Sequence, residues 1–344
     1  MANIDLIQRL SNAVGVSGDE REVSNILREE IKGYVESLSV DSLGNLIALK
    51  GLDKPGPKVL INAHMDEVGF VVVRIDEKGF LYFKAVGGVD ARLFFGKRVI
   101  ISENKVPGVI GAKAIHLQNK EEVKQSVPVD SLYIDIGAAD QKEAEKLVPL
   151  GSLGTFDTQF EKIAEGKYTG KAFDDRLGCA IVAELLRENF KFPIIALFSS
   201  QEEIGLRGAG VGAYKYTPDI SVTIEGTISA DLPEVKEHLK CSKLGEGPVV
   251  TVKDKAVITD NELRTKLLAV AKQKNIAYQF KQVIAGGTDS ARIQLTKGGV
   301  KVLVVAVPVR YIHSPVALFY ESDYENTKKL VFEFLNSLQG GKNE

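Results

Sequence analysis

Phe192-Pro-Ile-Ile-Ala-Leu-Phe198 runs directly into Ser199-Ser-Gln-Glu-Glu-Ile-Gly205. An apolar, β-branched run after a proline predicts a buried strand of a parallel sheet, so Glu202 and Glu203 are expected where that strand ends. In open α/β sheets, ligands bind at this end of the strands. Two adjacent carboxylates near a core need a cation or a shared proton. Glu-Glu pairs are also common on solvated surfaces, so the rest of the chain has to decide between the two interpretations.

The composition excludes several classes of protein. The 344 residues are 44% hydrophobic and 26% charged, which is typical of a globular chain long enough for two domains. A formal net charge of -2 and a pI near 6.2 provide no basic face, so we expect no nucleic-acid partner and no membrane partner. The chain has no apolar run of about 18 residues and no signal-peptide pattern at its start, which favours a cytoplasmic protein.

The cysteines bear on the type of metal site. Only two are present, Cys179 and Cys241, and they are far apart in the sequence. This spacing supports neither a disulfide framework nor a cysteine-type zinc site. Any metal would therefore be held by histidine, aspartate and glutamate.

The chain contains regions with two different sequence patterns. Residues 1–66 and 161–344 show helical periodicity alternating with short apolar runs, which predicts an α/β fold with a mostly parallel sheet between helices. Residues 67–160 show short β-like runs between turn residues, which predicts an inserted small all-β barrel or sandwich. The predicted strands are 37–40, 45–49, 58–62, 70–75, 80–84, 98–102, 108–112, 132–136, 192–198, 220–224, 279–284 and 302–307. The predicted helices are 4–14, 20–35, 140–146, 177–186, 208–214, 262–272 and 326–338.

Ionisable residues recur where predicted strands end or where a strand turns into a helix. They are His64, Asp66, Asp174, Glu203, Glu225 and His313. The carboxyl ends of parallel strands share one edge of a sheet, so these side chains are expected to converge. A lone buried histidine is usually a satisfied core residue, but two of the chain's four histidines belong to this set.

The residue types indicate the metal chemistry. Imidazole together with carboxylate suits zinc, cobalt or manganese, whereas an all-oxygen set would suit magnesium or calcium. A set of two imidazoles with an excess of carboxylates favours two ions over one. A cocatalytic pair, about 3.5 to 4 Å apart and bridged by one carboxylate, polarises a carbonyl and activates a water. A carboxylate beside that water that is not itself a ligand would be the general base.

Segments along almost the whole chain carry a family resemblance. They are Ala-His-Met-Asp-Glu-Val-Gly at 63–69, Lys-Ala-Phe-Asp-Asp-Arg at 171–176, Gln-Glu-Glu-Ile-Gly-Leu-Arg-Gly-Ala at 201–209, Ile-Glu-Gly-Thr at 224–227, Gly-Gly-Thr-Asp-Ser at 286–290 and Ile-His-Ser-Pro at 312–315. In this order they resemble the M42 metallo-aminopeptidases, which include the tetrahedral dodecameric aminopeptidases and several glutamyl aminopeptidases.

The resemblance implies a role for each site residue. Asp174 matches the ligand that bridges two metals, and Glu202 matches the general base. Asp66 resembles the carboxylate that orients a ligating imidazole. The resemblance also implies outer ligands, which are His64 and Glu225 for one metal and Glu203 and His313 for the other.

Three details of the resemblance leave questions open. Many members carry aspartate where this chain has Glu225, so the number of oxygens that Glu225 would provide is open. The Asp174–Asp175 peptide is often cis in related enzymes, and Asp175 also fits a helix N-cap, which is compatible with the first role. Residues 286–289 resemble a loop that lines the site, but they also fit a simple Gly-Gly turn.

The family also implies an activity and an assembly. The expected activity is removal of the N-terminal residue from short peptides, with a metal-bound water as nucleophile and zinc or cobalt as the first candidates. The inserted β domain matches a PDZ-like dimerisation module, which implies a homo-oligomer, either a dimer or a dodecamer. His116 and His238 match no motif, so they are expected to be structural or surface residues.

Other activities remain open at this point. The same dimetal site could serve a dipeptidase or a deacylase. An endoglucanase-like glycoside hydrolase would use two carboxylates without a metal, which leaves the two histidines unexplained. A binding protein built on an inactive peptidase would not need the full ligand set. The preferred N-terminal residue is also open, because an acidic preference needs a cation in the pocket and the sequence singles out no lysine or arginine.

Overall fold

The computed structural model of the chain describes residues 2–125 and 127–340. Within this part, the α-helices are α1 Ile4–Asn12, α2 Arg21–Ile31, α3 Gln141–Leu147, α4 Phe173–Leu185, α5 Arg207–Tyr216, α6 Asn261–Gln273, α7 Ser290–Ile293 and α8 Glu321–Ser337. Short 3-10 turns occupy Ala91–Leu93, Ile115–Leu117, Glu122–Lys124, Val129–Ser131, Glu237–Leu239 and Leu338–Gly340.

The strands in the same part of the chain form two sheets and a barrel. They are β1 Ser37–Val40, β2 Leu46–Lys50, β3 Val59–His64, β4 Gly69–Ile75, β5 Leu81–Val86, β6 Arg98–Ile101, β7 Val106–Gly111, β8 Tyr133–Asp135, β9 Leu153–Phe156, β10 Glu161–Ala164, β11 Lys167–Gly170, β12 Ile194–Ser199, β13 Ile220–Ile228, β14 Val249–Val250, β15 Gln279–Phe280, β16 Lys301–Val309 and β17 Ala317–Tyr320.

The central sheet has the strand order β1-β2-β12-β3-β13-β16-β14-β15. Its middle, β12-β3-β13-β16, is parallel throughout. The prediction of a mostly parallel sheet is confirmed; at the margins, β2 lies antiparallel to β1 and β12, and β14 antiparallel to β16. The turn that ends at Gly44, with φ +94°, reverses the chain between β1 and β2, so β2 enters the sheet against the direction of β12.

Helices cover both faces of this sheet. The larger apolar core packs α1, α2, α4, α6 and α8 against one face, and a smaller core packs α5 and α7 against the other. The two-residue period of a strand sorts the side chains: Leu46 and Ala48 enter the larger core, whereas Ile47 enters the smaller one. None of the described helices combines the length and the apolar character that crossing a membrane requires.

Strands β4 to β9 close into a six-stranded barrel with the order β4-β5-β8-β7-β6-β9. The barrel has its own core. Within it, the rings of Phe70, Phe83, Phe94 and Phe156 contact one another in sequence, with 5.2 to 5.5 Å between the centroids of neighbouring rings. Of the two architectures predicted for this region, the structure contains the barrel. The PDZ-like character implied by the resemblance is not confirmed.

Several differences from the predicted elements affect the site. Strand β13 continues to Ile228, so Glu225 lies inside a strand and not just beyond its end. Pairing with β3 stops at Thr223, but pairing with β16 continues along the rest of β13, which explains the extension. The strand predicted at 279–284 is reduced to Gln279–Phe280. Strand β9, which closes the barrel between β4 and β6, was missed because Leu153-Gly-Thr-Phe156 is short and contains glycine.

Candidate metal centre

The carboxyl ends of the parallel strands form the site. His64 is the last residue of β3, Glu202 and Glu203 follow β12, and His313 follows β16. Glu225 lies in β13, and Asp174 lies at the start of α4. The structure thus brings together residues from five different segments of the chain at one edge of the sheet.

Asp174 lies between two groups of side chains. Its Oδ1 is 3.2 Å from Nε2 of His64, and its Oδ2 is 3.3 Å from Nε2 of His313. On the first side, Nε2 of His64 is 3.6 Å from Oε2 of Glu225. On the second side, Nε2 of His313 is 3.2 Å from Oε2 of Glu203. Each of the two trios therefore contains one imidazole, one glutamate and one oxygen of the shared Asp174.

The two trios meet the spatial requirement for a metal site. In each of them the candidate ligand atoms lie within 4.8 Å of one another. A third group, formed by His64, Glu202 and Glu203, meets the same limit, so Glu202 lies at the edge of the ligand set. The carboxylate of Glu202 has no hydrogen bond to any residue that the structure describes, which leaves it able to act on a bound molecule.

Asp175 fixes the start of α4 against β3. The Asp174–Asp175 peptide is cis. The buried carboxylate of Asp175 accepts the backbone N–H of His64 at 3.2 Å and that of Gly178 at 3.0 Å. The backbone is not helical at Asp174 and Asp175, so the second contact caps the regular helix that follows them within α4. Asp175 thereby also ties the strand that carries His64 to the start of α4.

Asp66 contacts both sides of the site. Nδ1 of His64 hydrogen-bonds with the backbone oxygen of Asp66 at 3.1 Å, and the Asp66 carboxylate lies 3.4 Å away. The carboxylate itself accepts the backbone N–H groups of Glu202 at 2.9 Å and Glu203 at 3.1 Å, as well as the hydroxyl of Ser17 at 2.6 Å. Asp66 therefore orients the imidazole mainly through its backbone and positions the two glutamates through its side chain.

A buried ion cluster supports the site from behind. Glu67 accepts hydrogen bonds from Lys171 at 2.7 Å, Arg176 at 3.1 Å and the hydroxyl of Thr155, in the barrel, at 2.8 Å. Lys171 and Arg176 also donate to backbone oxygens at Ala13 and near it. The cluster locks the segment after β3 to the start of α4, and sequence reasoning did not single it out although all three charged residues stand in the quoted motifs.

The surrounding carboxylates raise the pKa of both histidines of the site. Burial alone lowers the pKa of His64, but the carboxylates around it, with Glu202 first, hold that pKa well above its usual value. The same balance raises the pKa of His313 to about 11. Burial opposes ionisation of Asp174, yet its hydrogen bonds to the two imidazoles keep the pKa of that carboxyl below its usual value.

The glutamates show the complementary effect. Burial raises the pKa of Glu202 and Glu225 well above the usual range and also raises the pKa of Glu203. Without a cation the site must therefore hold protons to offset the charge of its carboxylates. Divalent cations bound in place of these protons would serve the same purpose, and binding would release the protons.

The donor set fits divalent cations on its own chemistry. Two imidazoles and three carboxylates match the ligands of zinc, cobalt and manganese. The buried Oε1 of Glu225 has no hydrogen-bond partner among the described residues, which is costly unless a cation is bound there. The side chain of Glu225, although longer than that of aspartate, therefore lies among the other candidate ligands.

A cavity of about 310 Å³ opens beside these candidate ligands. One side is formed by Glu202, Glu203 and Glu225, and another by Gly286, Gly287 and Thr288. Residues 286–288 thus line the cavity; their backbone is irregular, with φ +66° at Gly286, and does not form the simple Gly-Gly turn that the sequence also allowed. The next residue, Asp289, is buried and accepts a hydrogen bond from Ser199 at the end of β12. A larger cavity of about 670 Å³ lies between α2 and the barrel and contains none of the ligand set.

The remaining histidines lie elsewhere. His116 and His238 are exposed and stand in short 3-10 turns. Neither is among the residues that line the cavity beside the ligands. Both are therefore surface residues in the described structure.

Comparison with known proteins gives a consistent result. Residues 44–330 match the family model described as M42 glutamyl aminopeptidase. The chain is 31% identical to the lysyl aminopeptidase of Pyrococcus furiosus, covering 98% of each protein. It superimposes on the TET aminopeptidase of a marine sediment archaeon of the Thaumarchaeota with a TM-score of 0.94, 34% identity and coverage of 98% and 96% of the two chains. It also superimposes on the TET1 peptidase of Pyrococcus horikoshii, described as able to assemble into a tetrahedron or a large octahedral shell, with a TM-score of 0.85, 31% identity and coverage of 96% and 98%.

Proposed function

Because the chain belongs to the M42 glutamyl aminopeptidase family and is a hydrolase that acts on the N-terminal residues of peptides, we propose that it works through two divalent ions held around Asp174. The observation that carries this proposal is the shared carboxylate, since each oxygen of Asp174 faces a different imidazole. His64 and Glu225 would complete one ion's ligands, and His313 and Glu203 those of the other. Zinc and cobalt are the first candidates, with manganese as a third.

When bound, the two ions would polarise the scissile carbonyl and lower the pKa of a nearby water. The residues of the chain account for the proton transfers. Glu202 has a carboxylate without a hydrogen bond among the described residues, beside the ligand set, so it would take a proton from the attacking water. It would then pass that proton to the leaving amine.

Asp66 and Asp175 hold this arrangement in place. The backbone N–H groups of Glu202 and Glu203 both donate to Asp66, so the base and a ligand are fixed relative to each other. Asp175 fixes Asp174 relative to His64 through the backbone of β3. Asp66 is therefore a positioning residue in this mechanism.

We further propose that residues 67–160 are an inserted dimerisation domain and that the chain forms a homo-oligomer. The assembly of the similar Pyrococcus horikoshii peptidase supports this proposal. The connection between β7 and β8 also exposes apolar side chains, with Ile115 at 70% and Leu117 at 64% exposure. Light scattering coupled to gel filtration measures the mass directly; a dimer or a dodecamer is expected, and a monomer at all concentrations would contradict the proposal.

Arylamide release tests the proposed activity. The substrates are a panel of aminoacyl-p-nitroanilides with free amines, together with their N-acetylated forms as matched controls. We expect cleavage of free substrates only, loss of cleavage with a chelator, and recovery with zinc or cobalt. No cleavage of any free substrate by protein with two bound ions would reject the aminopeptidase proposal, and assays with dipeptides and acylated amino acids would then test the dipeptidase and deacylase alternatives.

A further inference from the structure

The cavity beside the ligands extends along one edge of the central sheet. Glu225 in β13 lies opposite Ala306 in β16. Thr251, just after β14, donates its backbone N–H to Val304 of β16, and Lys281, just after β15, donates its own to Val250 of β14. Glu225, Ala306, Val304, Thr251 and Lys281 all line the cavity. Its floor therefore runs across neighbouring strands from the ligand set to Lys281.

This floor separates Lys281 from the ligand end of the cavity. Strands β13 and β15 are separated by β16 and β14, which places the backbones of Glu225 and Lys281 about 14 Å apart at the usual strand spacing. The floor between them is bounded by small or apolar side chains, including Val304 and Ala306.

Lys281 is the one lysine or arginine among the described residues that line this cavity. It is half-buried, and its ammonium group forms no ion pair with any carboxylate in residues 2–125 or 127–340. A partly desolvated cation without a counter-charge favours an anionic ligand. The charge distribution is thus polarised, with carboxylates at the end that would receive the substrate's free amine and a cation at the other.

We propose that Lys281 is the specificity-determining residue and that it selects peptides whose first residue is glutamate or, less strongly, aspartate. This inference rests on the proposed function, because it assumes that the free amine lies at the ligand end of the cavity. Family membership does not decide the preference, since the family model is described as glutamyl whereas a relative that matches along its whole length is a lysyl aminopeptidase. An N-terminal lysine would place two cations next to each other in this cavity.

The test compares substrates of similar shape that differ in charge. The ratio of kcat/KM for Glu-p-nitroanilide over Gln-p-nitroanilide isolates the carboxylate, and Leu- and Lys-p-nitroanilide complete the series. We expect the wild type to favour Glu over Gln by about 10- to 100-fold. The variant K281M should lose most of this ratio, and K281E should favour Lys over Glu.

The matched control is K255M. Lys255 is exposed and close in sequence to the same region, and its backbone N–H donates to Gly286, but it does not line the cavity. Its removal changes the net charge by the same amount and should leave the Glu/Gln ratio within about twofold of the wild type. An equal loss of the ratio in K255M and K281M would mean that general electrostatics, and not Lys281, sets the preference.

A binding measurement separates this inference from the proposed function. Titration calorimetry of L-glutamate and L-glutamine requires no turnover, and the wild type should bind L-glutamate more tightly, whereas K281M should bind the two equally. If free substrates are cleaved but the wild type treats Glu and Gln alike, the inference fails and the aminopeptidase stands. If no free substrate is cleaved, the proposed function fails, and the calorimetry alone decides whether Lys281 recognises an acidic side chain.

Discussion

Glu202 and Glu203 are neighbours in sequence, but they have different surroundings. Oε2 of Glu203 lies 3.2 Å from Nε2 of His313, whereas the carboxylate of Glu202 has no hydrogen bond among the described residues. This difference underlies their assignment as ligand and as base. The sequence predicted that both belong to the site because they follow a buried strand, and the family resemblance supplied the division of roles.

Replacing Glu202 with glutamine tests the base. E202Q keeps the shape of the side chain but cannot accept a proton, so kcat should fall by at least about 10²-fold while the metal content stays unchanged. Steady-state kinetics and metal analysis on the same sample measure both quantities. The control is E77Q, which removes one exposed carboxylate from the barrel. Metal-replete E202Q with a rate close to the wild type would reject the assignment.

Asp174 is the residue on which both ions would depend. D174A should therefore lose both ions, whereas H313A removes a ligand from one trio only and should retain about one ion per subunit. Equilibrium dialysis followed by elemental analysis measures the bound metal. Retention of two tightly bound ions by D174A would show that this carboxylate does not bridge them.

The buried carboxyl of Glu20 predicts a pH dependence of stability. Its Oε1 accepts the N–H groups of Gly18 at 2.8 Å and Gln201 at 3.1 Å, and burial raises its pKa from 4.5 to about 7. Between these values the folded chain holds a proton that the unfolded chain has lost, so stability falls as the pH rises. Glu20 thus contributes about 3 kcal/mol to the free energy of unfolding below pH 4.5, and this contribution is lost above about pH 7.

E20Q should abolish this dependence, because a glutamine oxygen can accept the same two N–H groups and does not ionise. Urea unfolding at pH 5 and at pH 8 compares the two proteins. The wild type should lose more stability than E20Q between these values, with a difference of up to about 3 kcal/mol. Equal losses in both proteins would mean that Glu20 titrates normally in the folded chain.

At the scale of the elements, the site depends on how β3 and α4 are joined. The buried Glu67–Lys171–Arg176 cluster makes this connection, and Thr155 extends it to β9 of the barrel. Burying charges is costly unless each is paired and hydrogen-bonded. Here Lys171 and Arg176 both donate to the carboxylate of Glu67. The cluster stands in the quoted motifs but gives no periodic pattern, so its contacts became visible only in three dimensions.

Breaking this cluster should cost much more than breaking a surface pair. K171M leaves part of the Glu67 charge uncompensated and should lower the free energy of unfolding by about 3 to 5 kcal/mol. K162M removes the exposed pair with Glu165 and should leave the free energy of unfolding nearly unchanged. Chemical denaturation of both variants provides the comparison, and similar small losses would show that the cluster is not structurally important.

The elements also show how far sequence patterns reach. Long apolar runs predicted β3, β12 and β16, and helical periodicity predicted α1, α2, α6 and α8 with shifted ends. The two-residue strand β14 has too few residues for a pattern, whereas the run at 279–284 predicted a longer strand than the Gln279–Phe280 that forms. Glu225 was placed after its strand because a polar residue interrupts the apolar run. Hydrogen-bonding between β13 and β16 overrode that local signal.

At the scale of the whole molecule, the sheet topology explains why the candidate site was accessible to sequence reasoning. Residues at the ends of parallel strands meet at one edge whatever their separation along the chain. Contacts between loops carry no such rule. The hydrogen bonds from Glu202 and Glu203 to Asp66, about 136 positions away, and the place of Lys281 in the cavity depend on how the loops pack.

Anomalous diffraction from crystals loaded with zinc or cobalt tests the shared-carboxylate arrangement most directly. We predict two anomalous peaks per subunit, one on each side of the Asp174 carboxylate and about 3.5 to 4 Å apart. The first should lie beside His64 and Glu225, and the second beside His313 and Glu203. A single peak, or two peaks that do not both contact Asp174, would contradict the proposed centre.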